Sequence, residues 1–400
     1  MKTARASSTR PFPAWLALFA TTAFLLCASE SARAEVTPAA GYTPPDDTPS
    51  IKIGAVIFSD YTYQSKPTAK DSAGNDIKSN SFNVSRSYIN ITGNISHMVA
   101  FRITPDVTRE TGTGSSLNGS LTFRIKYAFA QINLDDWMPK GSWIRVGIQQ
   151  TPYIDFIEGI YRYRFQGTMF QEREGPGGSG SFMSSSDAGV SFHTAFPNNY
   201  GDLHVGVYNG EFYSKAEAND QKAFQIRASF RPLPQHPILR GWRVTGMYIA
   251  DNYMANAERK RAIVNTTFEH PYINIGVDYL DTKDKASSAL TAQGLDLNPD
   301  LHGKGWTVWA TPKKVNANGS SIEGLIRYEQ MKPGGAVSGT NIVSPDGVDK
   351  RSIVGVAYWF PKQGSVSAAL LFDVETVTFD SWVPARPTQQ KVCLHTLISF

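Results

Sequence analysis

Residues 365–400 read SVSAALLFDVETVTFDSWVPARPTQQKVCLHTLISF. In the first part Val366, Ala368, Leu370, Phe372 and Val374 alternate with Ser367, Ala369, Leu371, Asp373 and Glu375. In the last part Val392, Leu394, Thr396, Ile398 and Phe400 hold every second position. Successive side chains of an extended chain point to opposite faces, so each run predicts a strand with one apolar and one more polar face. Both runs are near the ~9–11 residues that a tilted strand needs to cross hydrocarbon.

The same period-2 pattern recurs along the chain. It predicts about sixteen strands, near 51–63, 82–93, 96–108, 120–133, 142–150, 187–196, 202–209, 221–231, 241–250, 260–269, 272–282, 304–312, 320–330, 350–359, 365–378 and 389–400. In 221–231, for example, Phe224, Ile226, Ala228 and Phe230 oppose Gln225, Arg227, Ser229 and Arg231. Connections alternate between short ones, such as His270-Pro271, and long ones at 64–81, 109–119, 151–186, 210–220, 251–259, 283–303, 331–349 and 379–388. A soluble sandwich or propeller gives no reason for that alternation. It is the expected topology of an all-β, transmembrane antiparallel β-barrel with short periplasmic turns and longer external loops. The first strand must then pair with the last, because open backbone groups are not tolerated in lipid. In the second strand Phe82, Val84, Arg86 and Tyr88 are followed by Ile89 and Ile91, a change of phase that predicts a bulge. Trp137, Trp143, Trp242, Tyr272, Tyr358, Trp359, Phe360 and Trp382 stand near strand ends and are expected in the interfacial girdles.

The amino-terminal segment sets the compartment. Lys2, Arg5 and Arg10 precede an apolar run from Ala14 to Leu26, which is followed by Ala32-Arg33-Ala34. That is the pattern of a secretory signal peptide spanning 1–34, with 35–50 as a periplasmic lead into the barrel at 51–400. The apolar run is too short for a spanning helix, and Leu26 before Cys27 argues against a lipoprotein site. Cleavage would leave Cys393 alone, excluding an intramolecular disulfide and a cysteine-based metal cluster. Losing four basic residues and one acid would lower the formal charge from +4 to +1, so a nucleic-acid partner is not expected.

At residue level, Ile144-Arg145-Val146-Gly147-Ile148-Gln149-Gln150-Thr151-Pro152 and then Gly159 to Thr168 resemble a strand and following loop of the phosphate-selective porin O and P family. The early hairpin is similar too, through Phe82, Arg86, Tyr88, Gly93, Phe101, Arg102 and Thr104-Pro105-Asp106. The resemblance implies a sixteen-stranded, trimeric channel in the bacterial outer membrane. Phe400 at the end of an alternating strand resembles the signature read by the barrel-assembly machinery. In general porins the third external loop folds inward, which makes 151–186 the expected constriction. Its candidate residues are Arg162, Arg164 and Arg173 with Tyr161, Tyr163 and Phe165, against Asp155, Glu158, Glu172 and Glu174. Arginine can grip an oxyanion through paired donors; the alternative is that the loop arginines pair with nearby carboxylates and pin the loop to the wall.

Alternation directs Arg102, Arg124, Lys126, Arg145, Arg227, Arg231, Arg261 and Arg327 toward the lumen, against a smaller acidic set of Asp106, Asp278, Glu323, Glu329, Asp373 and Glu375. The expectation is passive diffusion of small polar solutes with a preference for anions, phosphate-like oxyanions included. Against phosphate specificity stands the lack of a dense lysine cluster. The alternatives are a plugged structural or adhesive barrel, and a sugar-type channel using Tyr161, Tyr163 and Phe165 as a slide. No zinc motif, phosphate loop or dinucleotide fingerprint occurs, and the histidines are scattered. His193 and His204 flank one hairpin, where a structural role is expected. The Gly-rich stretch 175–181 reads as a loop tip. No cofactor, metal or enzymatic site is expected.

Overall fold

A computed structural model of the chain describes residues 46–112, 114–173, 181–217, 219–252, 258–285, 300–338 and 341–400. The expected signal segment 1–34, most of the lead 35–50, and Glu174 with the Gly-rich residues 175–180 lie outside the described residues.

Sixteen strands form one closed barrel. They are β1 (Ser50–Lys66), β2 (Asn80–Asn94), β3 (Val99–Arg109), β4 (Leu121–Asn133), β5 (Trp143–Gln150), β6 (Ser186–Ala195), β7 (Gly201–Tyr208) and β8 (Ala223–Phe230). The second half comprises β9 (Trp242–Asn252), β10 (Glu258–His270), β11 (Ile273–Lys285), β12 (Asp300–Val315), β13 (Ser321–Lys332), β14 (Val348–Trp359), β15 (Ser367–Asp380) and β16 (Gln389–Ser399). Each pairs antiparallel with its sequence neighbour, and β1 closes on β16 through pairs such as Val56 with Ser399 and Thr62 with Cys393. Ala55 and Phe400 exchange two backbone hydrogen bonds, of 2.9 and 3.0 Å, at the seam. Every backbone edge is thereby consumed, as a lipid-embedded sheet requires.

The alternating faces are as expected on most strands. Val264 is 61% exposed, Val356 60% and Phe372 55%, while their neighbours Asn265, Ala357 and Asp373 are buried inside. An apolar belt of this extent around a closed barrel has no place in water. Two additions went unseen in the pattern: short hairpins Ala69–Lys70 with Asp76–Ile77 and Ala336–Ser338 with Asn341–Val343 sit within long connections.

Three aromatic expectations need correction. Trp143 is 1% exposed and faces inward, stacked on His193 with ring centres 5.1 Å apart. Trp359 packs inside against Tyr163 and Phe165, and Trp382 is buried in the last long connection, donating to Asp349 at 2.9 Å. In all three an indole partner inside the barrel outweighs the interfacial preference.

Besides a register shift between Gln64 and Lys66 at the β1–β16 seam, two bulges break the alternation on β2 and β4. Phe58 pairs with Arg86 but Ser59 pairs with Val84, leaving Ser85 over. Phe82 and Val84 therefore face outward, whereas Arg86 and Tyr88, at even spacing from them, turn into the barrel. Across β3 and β4, Thr104 pairs with Tyr127 and Pro105 with Ile125, so Lys126 is the extra residue. Pro105 lacks a backbone donor, which suits it to an irregular position. Consecutive side chains Lys126 and Tyr127 are consequently both buried on the lumen side.

Candidate functional site

The connection after β5 enters the barrel. It opens with helix α1 (Ile154–Tyr161), whose Asp155 stands in the first turn, where a carboxylate complements the helix dipole. Ile154, Ile157, Ile160 and Tyr161 fall on one helical face and are at most 1% exposed. They pack on an unusual inner surface: Met247, Ile249, Ile263, Leu280, Trp309, Leu325, Ile353 and Leu371, one or two from each of β9 to β15, form a single apolar core with the loop. A water-filled barrel is polar inside, so this apolar stripe is the sequence feature that dictates where the loop docks. Burying each such side chain contributes about 1.5–3 kcal/mol.

The expected constriction residues belong to this docked layer. Tyr161 meets Trp309 edge-on at 5.1 Å. Tyr163 donates to Glu323 at 2.8 Å and accepts from the indole of Trp359 at 3.3 Å. Phe165 stacks on Tyr163 at 5.6 Å. The three rings are 1%, 0% and 3% exposed, so none of them presents a face to a passing solute. A slide for sugars needs open rings, and these are covered by the wall.

The loop arginines are likewise engaged. Arg162 ends α1 in the left-handed region, with φ 60°, and pairs with Glu323 at 2.9 Å. Arg173 pairs with Glu329 at 3.0 Å, again on the wall. Arg164 holds Glu158 at 2.7 Å and Glu172 at 2.5 Å, crossing from one end of the loop to the other. All three guanidinium groups are matched by carboxylates, two as tethers to β13 and one as an internal clasp.

The wall cations divide into two classes. Arg124 lies 3.6 Å from Asp106, Arg227 pairs with Asp202, Arg261 reaches Asp284 at 2.8 Å, and Arg327 pairs with Glu329. Arg231 is bonded to Asn199. Arg102, Lys126 and Arg145, in contrast, have no carboxylate partner among the described residues, and neither has Arg86, which the bulge at Ser85 turns into the barrel. These four sit on β2, β3, β4 and β5 and are held by neutral groups. Arg86 and Lys126 both donate to the Tyr88 hydroxyl, at 3.0 and 3.1 Å. Arg102 lies over Tyr127 at 4.5 Å and donates to Asn90 at 2.8 Å. Arg145 lies 3.8 Å over Trp143 and donates to Gln131 at 2.8 Å. Cation–π and hydroxyl contacts fix a cation without neutralising it.

Across from this ladder stand the loop carboxylates Asp155, Glu158 and Glu172, close enough to act electrostatically on it: Asp155 on Arg145, Arg102 and Lys126, and Glu158 and Glu172 on Arg86. Glu158 and Glu172 are shared with Arg164, whereas Asp155 makes no ion pair among the described residues. Space is left on both sides. Toward the long connections a cavity of about 560 Å³ is lined by Arg86, Asp106, Thr168 and Glu172. Toward the short turns one of about 650 Å³ is lined by Lys52, Arg102, Gln131 and Arg145, and another of about 410 Å³ by Arg145, Asp155 and Arg227. His193, expected to be structural, is buried with ring nitrogens 2.7 Å from the Gly141 carbonyl and 3.0 Å from Asp202.

No protein-family model and no curated protein matches the chain. Solved structures do. The anion-selective porin from Comamonas acidovorans superposes with a TM-score of 0.58 at 11% identity, covering 88% of this chain and 100% of its own. The outer membrane channel DcaP of Acinetobacter baumannii gives 0.54 at 12%, covering 90% and 100%. OmpF of Salmonella typhi gives 0.53 at 9%, covering 88% and 97%. At these identities the likeness is one of fold: a closed, sixteen-stranded antiparallel barrel.

Proposed function

We propose that the chain is an outer-membrane porin through which small polar solutes diffuse passively, with a preference for anions. The observation that carries this reading is the ladder of Arg86, Lys126, Arg102 and Arg145 on β2 to β5, held without carboxylates beside cavities at both ends of the barrel. Uncompensated charges along a narrow lumen attract counter-ions and repel co-ions. Asp155, together with the one charge that Arg164 leaves over on Glu158 and Glu172, opposes four cations with two negative charges, so the net field favours anions. The docking of the loop on β9 to β15 supports the same path, because it fills that side and leaves the β2–β5 side to solutes. A phosphate-like oxyanion fits the forked donors of Arg86, Arg102 and Arg145, and the outer-membrane location, homotrimer and recognition of Phe400 by the assembly machinery rest on the sequence resemblance.

The plugged-barrel alternative draws on one feature, the extent of apolar packing between loop and wall. Single-channel recording in a planar bilayer under a salt gradient separates the two. Discrete openings whose reversal potential reports anion selectivity are expected; heat-modifiable, folded barrels that give no openings would overturn the porin reading in favour of the plug.

A further inference from the structure

On β15 and β16 a cluster lies that diffusion does not require. Asp373 is directly opposite Cys393, and His395 stands two residues further along β16 on the same face. A carboxylate oxygen, the thiol sulfur and an imidazole nitrogen all lie within 4.8 Å of one another. The three residues are 0%, 6% and 5% exposed. The bonding inside the cluster is incomplete. Nε2 of His395 is 2.9 Å from Oδ2 of Asp373, yet both carboxylate oxygens and both ring nitrogens lack a hydrogen bond of acceptable geometry. The thiol lies 3.6 Å from the Thr62 hydroxyl and beside the imidazole of His395. Buried polar atoms without a well-formed hydrogen bond are costly, and two pairs of them, one being the ion-paired Nε2 and Oδ2, converging beside a thiol point to a shared ligand.

The donor set names its class. Imidazole nitrogen, thiolate sulfur and carboxylate oxygen together suit a borderline-soft divalent cation of the zinc type, which takes four ligands in a tetrahedron and often leaves one position to solvent. Cys393 and His395 line a lumen cavity of about 450 Å³, with Asp60 directly across from His395 on β1. The open position would face that cavity.

We propose that Asp373, Cys393 and His395 form a binding site for a zinc-class divalent cation in the barrel wall. On binding, the Cys393 thiol gives its proton to solvent and Sγ bonds the metal; no electron is transferred. A sequence reading could not find the site, because its ligands come from two strands and share no spacing motif.

The probe is Co²⁺ alone, titrated into the folded, detergent-solubilised protein with its thiol reduced. The expected result is saturation at one Co²⁺ per chain with a thiolate-to-cobalt charge-transfer band in the near ultraviolet, displaced by Zn²⁺. Cys393→Ser should abolish the band, and His395→Ala and Asp373→Asn should each weaken binding roughly tenfold or more. Absence of the band in folded wild type, or a band and affinity unchanged in Cys393→Ser, overturns the proposal. If either of the other variants fails to fold, the near-isosteric Cys393→Ser decides. The readout is spectroscopic, so it stands whatever the bilayer recordings show.

Discussion

The ammonium of Lys126 lies 4.5 Å from the centre of the Tyr88 ring and 3.1 Å from its hydroxyl oxygen. This contact orients the cation but leaves its charge uncancelled, so in the proposed channel Lys126 is expected to act on solutes where the paired Arg261 does not. Replacing Lys126 and Arg102 together by Gln is expected to lower the anion-to-cation permeability ratio by roughly two- to fivefold. Arg261→Gln should leave that ratio alone while destabilising the barrel by about 3–5 kcal/mol, because buried Asp284 loses its paired guanidinium contact with Arg261. Reversal potentials and thermal unfolding of both variants check this. An equal shift in selectivity from the two would show that pairing does not sort the wall cations.

Arg164 clasps Glu158 and Glu172 within the loop, while Arg162 ties it to Glu323 on the wall. Removing Arg164 leaves two carboxylates facing the ladder without their cation. Arg164→Ala is therefore expected to reduce anion selectivity and to add open-channel noise as the loop loosens. Arg162→Ala should add noise with little change in selectivity. Single-channel traces distinguish the two; a quiet channel in both variants would mean that apolar docking alone fixes the loop.

Val264, at the middle of β10 and 61% exposed, pairs with Gly246 and Tyr279. If the outer belt faces hydrocarbon, Val264→Arg costs about 2–4 kcal/mol in a bilayer. Folding equilibria in lipid vesicles measure it. A variant as stable as wild type would place this face outside the membrane.

His97, in the turn between β2 and β3, bridges Asp136 at 2.9 Å and Asp47 at 2.6 Å, joining the lead segment to a neighbouring turn. The hydrogen bonds to Asp136 and then Asp47 raise the imidazole above its ordinary value, and the one from His97 chiefly lowers Asp47. The raised group contributes fully below an unfolded value of about 6.5 and loses its contribution as pH climbs through its folded value. The lowered Asp47 loses its contribution as pH falls through its own. Amide exchange around residues 46–50, corrected for intrinsic rate, should be slowest between those limits and indifferent to the upper one in His97→Ala. Protection that is the same at about pH 5 and about pH 9 in the wild type would sink the idea.

Much of the architecture was legible without coordinates. Period-2 alternation is local, so Val366 to Val374 announce a strand and its two faces wherever that strand is placed. The alternation of short and long connections likewise gave the barrel topology, and the change of phase after Tyr88 flagged a bulge in β2, which the register places at Ser85. It was harder to see that the bulge at Ser85 carries Arg86 inside, because a bulge is located only by the register of the partner strand.

The sequence by itself determined the number of strands, the apolar outward face of most of them and the loop long enough to enter the barrel. Only the tertiary structure decided which inward charges are spent on ion pairs, as with Arg162 and Glu323, 161 residues apart, and which keep no carboxylate partner among the described residues, as with Lys126. It alone also brought Asp373 to Cys393 and His395. The reason is physical: the direction of a side chain depends on its own strand, whereas its partner depends on the register of other strands and on where the loop finds an apolar surface.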